Sequence, residues 1–282
     1  MSVGPGRAAI LAKVTSAASI LAFSGVGRTF PDGTEALHGV DLAVDQGEFV
    51  TVVGPSGCGK STLLRLASGL DTVTAGELHV GSNRVGYVFQ DPTLLPWRTV
   101  RHNVELLAEL EGLAKAERQA RVAEVISLVG LDGFERHRPR ALSGGMRMRV
   151  SLARSLVLEP DVFLFDEPFG ALDEMTRERL NDELLSLFAD RRFAALFITH
   201  SVSEAVFLST RVVVMSPRPG RILGDVPVPF AYPRPPELRY SEEFAKVAGE
   251  VSDLLRDVPP RSSPGRPGRE WTGREGSGRN SR

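Results

Sequence analysis

The segment Gly54-Pro55-Ser56-Gly57-Cys58-Gly59-Lys60-Ser61 fits the pattern G-x-x-x-x-G-K-[ST] in full, and Thr62 follows it. Glycines at those places let successive backbone N–H groups curl around phosphate oxygens, and a helix starting there adds partial positive charge. Lys60 then reaches β- and γ-phosphate oxygens while the Ser61 hydroxyl is offered to Mg²⁺, so the segment predicts a nucleoside triphosphate site. Cys58 lies inside this loop, close to a helix start and to Lys60. That setting lowers a thiol's pKa and predicts a reactive cysteine, the alternative being a small residue that fills a turn.

An acidic pair sits at the end of the apolar run Val162-Phe163-Leu164-Phe165, where Asp166 and Glu167 follow at once. Asp166 can hold Mg²⁺, directly or through water, and Glu167 can polarise an attacking water. Leu142-Ser143-Gly144-Gly145 reads either as an N-cap and turn or as a second phosphate-binding surface, because both need exposed N–H groups at a helix start. His200 follows the run Ala194–Thr199 and precedes Ser201-Val202-Ser203-Glu204, a capping box. It reads as structural on its own, and as a γ-phosphate sensor beside a triphosphate.

These groups need elements to hold them. Phe49–Val53, Val85–Phe89, Val162–Phe165, Ala194–Thr199 and Arg211–Met215 are short apolar, β-rich runs, the signature of strands buried on both faces. Four of the five end in a reactive or polar group: the glycine loop, Gln90, Asp166-Glu167 and His200. Ligands of open α/β sheets bind outside the carboxyl ends of the strands, so the four are expected to converge on one site. Helical spacing marks Leu63, Leu64, Leu66 and Leu70 after the glycine loop. It marks Val100, Val104 and Leu107, then Val122, Val125, Ile126 and Val129, then a helix Met146–Leu158 carrying Met146, Val150, Ala153 and Val157. Residues 91 to about 158 therefore read as a helical insert. A last amphipathic helix is expected over Ser241–Arg256, with Phe244, Val247, Val251, Leu254 and Leu255 inward, after a Pro-rich stretch Pro227–Pro236.

Composition bounds the rest. The 282 residues carry 34 Lys+Arg against 35 Asp+Glu, are 42% hydrophobic and 24% charged, and suit a soluble globule with a core. Aromatics at 7% argue against a stacking platform for single-stranded nucleic acid, and a single cysteine excludes an internal disulfide or a cysteine zinc cluster. No apolar stretch is long enough for a membrane-spanning helix. Residues 258–282 hold six Arg and two Glu among Gly, Pro and Ser, which predicts a disordered tail. Residues 1–18 read as an N-terminal extension, with Lys13 interrupting any secretion-signal core.

Taken in order, the motifs resemble the ATP-binding subunit of an ABC transporter, over about residues 19–257. Gly54–Thr62 looks like the Walker A segment, Gln90 the Q-loop, Leu142–Gly145 the signature, Val162–Glu167 Walker B, Ala171-Leu172-Asp173 the D-loop and His200 the switch histidine. Phe30 stands where that family stacks an aromatic ring on adenine. The resemblance implies an α/β fold: a P-loop NTPase core with a RecA-like sheet, an antiparallel β part and a helical insert subdomain. It implies ATP hydrolysis with Mg²⁺ near Ser61, Gln90 and Asp166, with Glu167 and His200 catalytic. It implies a head-to-tail dimer in which Ser143, Gly144, Gly145 and Asp173 serve the partner's ATP. This agrees with a chain holding one phosphate loop and one signature.

Leu94-Leu95-Pro96-Trp97-Arg98-Thr99-Val100, Met215–Ile222 and Met146 further resemble importers of nitrate, alkanesulfonates and taurine; Met148 departs from that group and is expected to pack on its own helix. The implied partners are integral membrane permease subunits and, indirectly, an extracytoplasmic solute-binding protein, with no nucleic acid, at the cytoplasmic face of the membrane. Leu94, Leu95 and Trp97 are the apolar groups expected near the permease, ordinary packing under a loop being the alternative. An exporter subunit and a non-transport ABC ATPase are the competing functions.

Overall fold

The computed structural model describes residues 19–256; the expectations for the extension 1–18 and the tail 258–282 lie outside the described residues. The chain runs β1 (Ser19–Thr29), β2 (Glu35–Asp45), β3 (Phe49–Val53), α1 (Lys60–Ala67), β4 (Ala75–Val80), β5 (Val85–Val88), α2 (Val100–Leu110), α3 (Lys115–Leu128) and α4 (Gly144–Leu156). It continues β6 (Val162–Asp166), α5 (Glu174–Arg191), β7 (Ala194–Ile198), α6 (Val202–Leu208), β8 (Arg211–Met215), β9 (Ile222–Pro227) and α7 (Glu242–Arg256).

Two sheets form. One has the order β5-β6-β7-β3-β8-β9, parallel except for β9, which runs antiparallel to β8. Strands β3, β7 and β8 are buried at every residue, as continuous apolar runs require between two covered faces. The other is a small antiparallel sheet, β2-β1-β4, whose register is broken by bulges. Helix α1 lies in the apolar layer shared by the two sheets, where Leu63, Leu64 and Leu66 meet Leu21, Phe23, Val50 and Val52. Leu70 departs from the expected stripe: it lies beyond the end of α1 and is exposed. The opposite face of the large sheet carries α2–α6 on Phe49, Phe163, Phe165 and Phe197, with Phe188 meeting Phe49 edge-on at 5.2 Å.

The three expected insert helices are present and consecutive. Helix α4 starts two residues earlier than its apolar stripe, because the Ser143 hydroxyl caps it by accepting from the Met146 N–H at 3.2 Å. Met148, expected to pack on its own helix, is buried at 3% exposure in the core shared with other elements. Helix α7 buries Phe244, Val247 and Val251 and rests Leu254 and Leu255 partly against the same core.

Arg211 fastens the two sheets together. Its guanidinium donates to Glu48 at 2.7 Å, to Asp225 of β9 at 2.6 Å and to the Ala43 carbonyl of β2. Removing one partner of a buried charge cluster leaves the others uncompensated, so Arg211→Met should lower the unfolding free energy by about 3–5 kcal/mol in a denaturant titration. An unchanged midpoint would show that the cluster contributes nothing to joining the sheets.

Candidate functional site

The sheet order makes β5, β6, β7 and β3 consecutive neighbours, so the groups at their carboxyl ends come together along one edge. Gln90 is exposed just past β5, Asp166 ends β6 with Glu167 after it, His200 follows β7, and the glycine loop follows β3. All four expected strand-end groups therefore lie side by side.

Within the loop, Gly59 has φ of 110° as the residue before α1, and a Cβ there would come within 2.8 Å of the Ala36 carbonyl oxygen. Only glycine fits. Pro55, Ser56 and Gly57 are exposed, whereas Lys60 is buried. The Lys60 ammonium donates to the carbonyls of Gly54 at 2.8 Å and Pro55 at 3.1 Å, and stands 4.0 Å from Glu167 Oε1. The first N–H groups of α1 have no partner within the helix. Free amides and a buried cation at one helix start form an anion cradle.

Beside it, the Ser61 hydroxyl donates to Asp166 Oδ1 at 2.9 Å, and the Tyr87 hydroxyl donates to Oδ2 at 3.4 Å. Burial pushes the Asp166 carboxyl up, and the neighbouring Glu167 charge adds to that, against those two hydrogen bonds and the Lys60 charge. The same burial, with the Asp166 charge, raises the Tyr87 phenol well above its usual range. A desolvated carboxylate paired with a hydroxyl is an oxygen donor set suited to a hard cation. Among the described residues no group of three or more His, Cys, Asp or Glu could hold a metal by themselves. The Ser61 and Asp166 oxygens would suffice for Mg²⁺, which takes one or two protein oxygens and completes its shell with water and substrate phosphates.

Glu167 has φ of 46°, a left-handed conformation that costs a non-glycine residue free energy. Its N–H donates to the Ile198 carbonyl of β7 at 3.0 Å and its carbonyl accepts from Gly170. These bonds hold the carboxylate between Lys60 and the His200 ring, whose Nδ1 lies 3.3 Å from Glu167 Oε2. His200 itself is largely exposed. The expected capping box closes only by half: Ser201 accepts from the Glu204 N–H, but the Glu204 carboxylate turns to the Thr199 hydroxyl instead of the Ser201 N–H.

Other expected residues lie apart from this cluster. Ser143 is exposed, and Gly145 packs the start of α4 on the start of α5, where a Cβ would meet Thr176 at 2.8 Å. Asp173 is exposed as the N-cap of α5, its carboxylate accepting from the Thr176 N–H, which holds it below the usual carboxylate range. Phe30 follows β1 and is half-buried, with the Arg28 guanidinium 5.0 Å above its ring.

The expectation of a reactive Cys58 is overturned. The thiol is 1% exposed within the apolar layer, and burial pushes it up more strongly than Lys60 pulls it down. It is the small residue that fills the turn.

Three residues escaped the sequence reading. Buried Arg154 of α4 donates to the carbonyls of Pro92 and Thr93, tying α4 to the loop after Gln90. Fully buried Asn103 accepts from the Leu95 N–H and donates to the carbonyls of Leu95, Arg98 and Thr99. Arg218, in the Met215–Ile222 segment, donates to the Gly57 carbonyl of the glycine loop at 3.2 Å. The only available signal was a polar residue within an apolar helical stripe, at Arg154 beside Ala153 and at Asn103 beside Val104.

The description "ABC transporter" is matched over residues 37–170. The nitrate import ATP-binding protein NrtD of Synechocystis sp. is 45% identical over 236 residues, covering 78% of this chain and 88% of the relative. The aliphatic sulfonates import ATP-binding protein SsuB 1 of Pseudomonas syringae is 47% identical over 204 residues, covering 72% and 83%. Among solved structures, the dimeric ATP-binding cassette MJ0796 bound to ADP and Pi aligns with a TM-score of 0.67 at 30% identity. It covers 75% of this chain and 100% of that one. CbiO1 of Clostridium perfringens, part of the ABC transporter complex cbiONQ, aligns with a TM-score of 0.69 at 25% identity, covering 84% and 98%.

Burial of Cys58 has a direct chemical consequence. Maleimide should label the native protein on the order of 10²-fold more slowly than the unfolded chain, since an inaccessible protonated thiol is a poor nucleophile. Equal rates in the two states would contradict the packing described.

Proposed function

This chain belongs to the ABC transporter family, and we propose that it is the ATP-hydrolysing, energy-coupling subunit of an importer for a small solute such as nitrate, an alkanesulfonate or taurine. The observation that carries the reading is the placement of Lys60, Asp166, Glu167 and His200 at the ends of neighbouring strands, around the glycine loop. Nitrate and alkanesulfonates are the solutes that the relatives name, the nitrate and aliphatic sulfonate import proteins being 45% and 47% identical over the aligned residues; taurine comes from the sequence resemblance alone.

In this reading the backbone N–H groups of Gly57 to Thr62 and the Lys60 ammonium bind the ATP phosphates. Lys60 exchanges the Gly54 and Pro55 carbonyls for phosphate oxygens, keeping a charged group satisfied on both sides of the exchange. Ser61, Asp166 and Gln90 hold Mg²⁺, which neutralises charge on the phosphates. Glu167 accepts the proton of the attacking water, and His200 donates to the γ-phosphate from beside it. Phe30 stacks on the adenine. Ser143 and Asp173 are exposed at the starts of α4 and α5, and by the family resemblance they serve, with Gly144 and Gly145, the ATP of a second copy in a head-to-tail dimer.

Closure of that dimer moves the insert helices through two buried ties: Arg154 to the carbonyls after Gln90, and Asn103 to the Leu95–Thr99 loop. A cleft of about 660 Å³ lies beside that loop, lined by Trp97, Arg98, Arg101, His102, Lys115 and Arg138 among others. Trp97 is 68% exposed, an aromatic group presented at its rim. This cleft is where the integral membrane permease subunit docks. No described helix is long and apolar enough to cross a membrane. Bound to the permease, the subunit works peripherally at the cytoplasmic face, as the likeness to import ATP-binding proteins implies. An extracytoplasmic solute-binding protein delivers the solute to the permease.

The test pairs chemistry with assembly. Glu167→Gln should bind ATP with unchanged affinity and hydrolyse it about 10²–10⁴-fold more slowly, the span lost with a general base. That variant, tagged, should bring integral membrane subunits out of detergent-solubilised membranes. Hydrolysis at the wild-type rate, or co-purification with nucleic acid in place of membrane subunits, would overturn the reading.

A further inference from the structure

Glu204 carries more hydrogen-bonding capacity into the core than helix capping requires. It is 6% exposed, in the first turn of α6 directly after the His200 loop. Its carboxylate accepts from the Thr199 hydroxyl, and the same hydroxyl oxygen accepts from the Ser201 N–H at 3.0 Å. The Ser201 hydroxyl in turn accepts from the Glu204 N–H at 3.3 Å. The residues on either side of His200 are thus closed into one ring of hydrogen bonds with Glu204 as its anchor.

The other side of that carboxylate faces α5. Asn181, 3% exposed, lies beside Glu204 on α5, and Arg177 lies close enough for its charge to act on the carboxylate. As oriented, Glu204 Oε1 and Asn181 Oδ1 are both buried acceptors without a donor among the described residues. An amide has a donor side as well as an acceptor side, so turning the Asn181 amide supplies Oε1 with an N–H. Arg177 also donates to the carbonyls of Phe169 at 3.3 Å and Leu172 at 2.8 Å, the loop between Glu167 and Asp173. Polar groups therefore lead from that loop, through Arg177 and with Asn181 beside it, to Glu204 and the two residues flanking His200.

We infer that Glu204 and Asn181 form a buried latch between α5 and α6 that fixes His200 against Glu167, making Glu204 a positioning residue for hydrolysis. The latch rests on the role given to His200 above. Glu204 does not reach the reacting atoms; it sets where the ring stands. Buried networks of this kind hold one geometry because every alternative leaves a desolvated group unpaired.

The test is steady-state ATP hydrolysis by the full chain carrying Glu204→Ala, Glu204→Gln or Thr199→Val, each alone and with His200→Ala. A misplaced ring should lower kcat about 10- to 100-fold in Glu204→Ala. The KM for ATP should stay within about 3-fold, because phosphate binding is untouched. Glu204→Gln keeps an acceptor for Thr199 and offers an amide donor to Asn181, so it should restore most of the rate. In the His200→Ala background, Glu204→Ala should have no further effect. If Glu204→Ala fails to fold, Thr199→Val removes the hydroxyl bridge with little change of shape and should reproduce the kcat loss. Wild-type kcat in folded Glu204→Ala or Thr199→Val overturns the latch. So does an equal loss with and without His200 when His200→Ala is itself slow. Wild-type kcat in His200→Ala alone overturns the role of His200 and the latch with it.

Discussion

A buried ammonium group organises this molecule. Lys60 is 6% exposed, and a charge so far from water costs free energy unless oxygens surround it. In this chain those oxygens are the carbonyls of Gly54 and Pro55, with the Glu167 carboxylate 4.0 Å away. The loop between β3 and α1 folds back on the side chain it precedes, and it can do so only with glycine before the helix. The result is a positive group held in place before any phosphate arrives.

The parallel sheet turns that cradle into a site. Parallel strands point their carboxyl ends the same way, so neighbours β5, β6, β7 and β3 bring Gln90, Asp166, Glu167, His200 and the loop to one edge. Glu167 occupies a left-handed conformation there, locked by its N–H on the Ile198 carbonyl. Strain of this sort persists only where the surroundings leave no alternative. Arg154 and Asn103 extend the same economy outward: each is a buried side chain satisfied by backbone carbonyls, Arg154 by a loop far back in the sequence and Asn103 by the loop just before its own helix. Such contacts make the insert helices follow the loop beyond Gln90 as one piece.

Much of this was legible in the residues. Residues 162–165, 194–198 and 212–215 are unbroken apolar runs, and strands covered on both faces have no reason to look otherwise. The small antiparallel sheet could not be placed in the same way. In β1, glycines and serine interrupt the alternation, and bulges shift the register several times. Strand β9 was missed because Gly224, Asp225 and Pro227 hide a short edge strand. At the site, type and spacing located the loop, the carboxylates and His200. Spacing said nothing of depth, which is why Cys58 read as reactive while it is sealed in the core. Nor did it show that Glu204 turns from its own helix cap to Thr199, beside Asn181 and Arg177 of another helix that spacing cannot bring together.

The claim beneath all of this is that Lys60 is held ready for phosphate. Equilibrium titration of labelled ATP with Mg²⁺ into wild-type protein and a folded Lys60→Ala variant tests it directly. Losing a charge-assisted hydrogen bond to the phosphates should weaken binding about 10- to 100-fold. Equal affinity in the two proteins would mean that the buried ammonium holds the loop together and does nothing for the nucleotide.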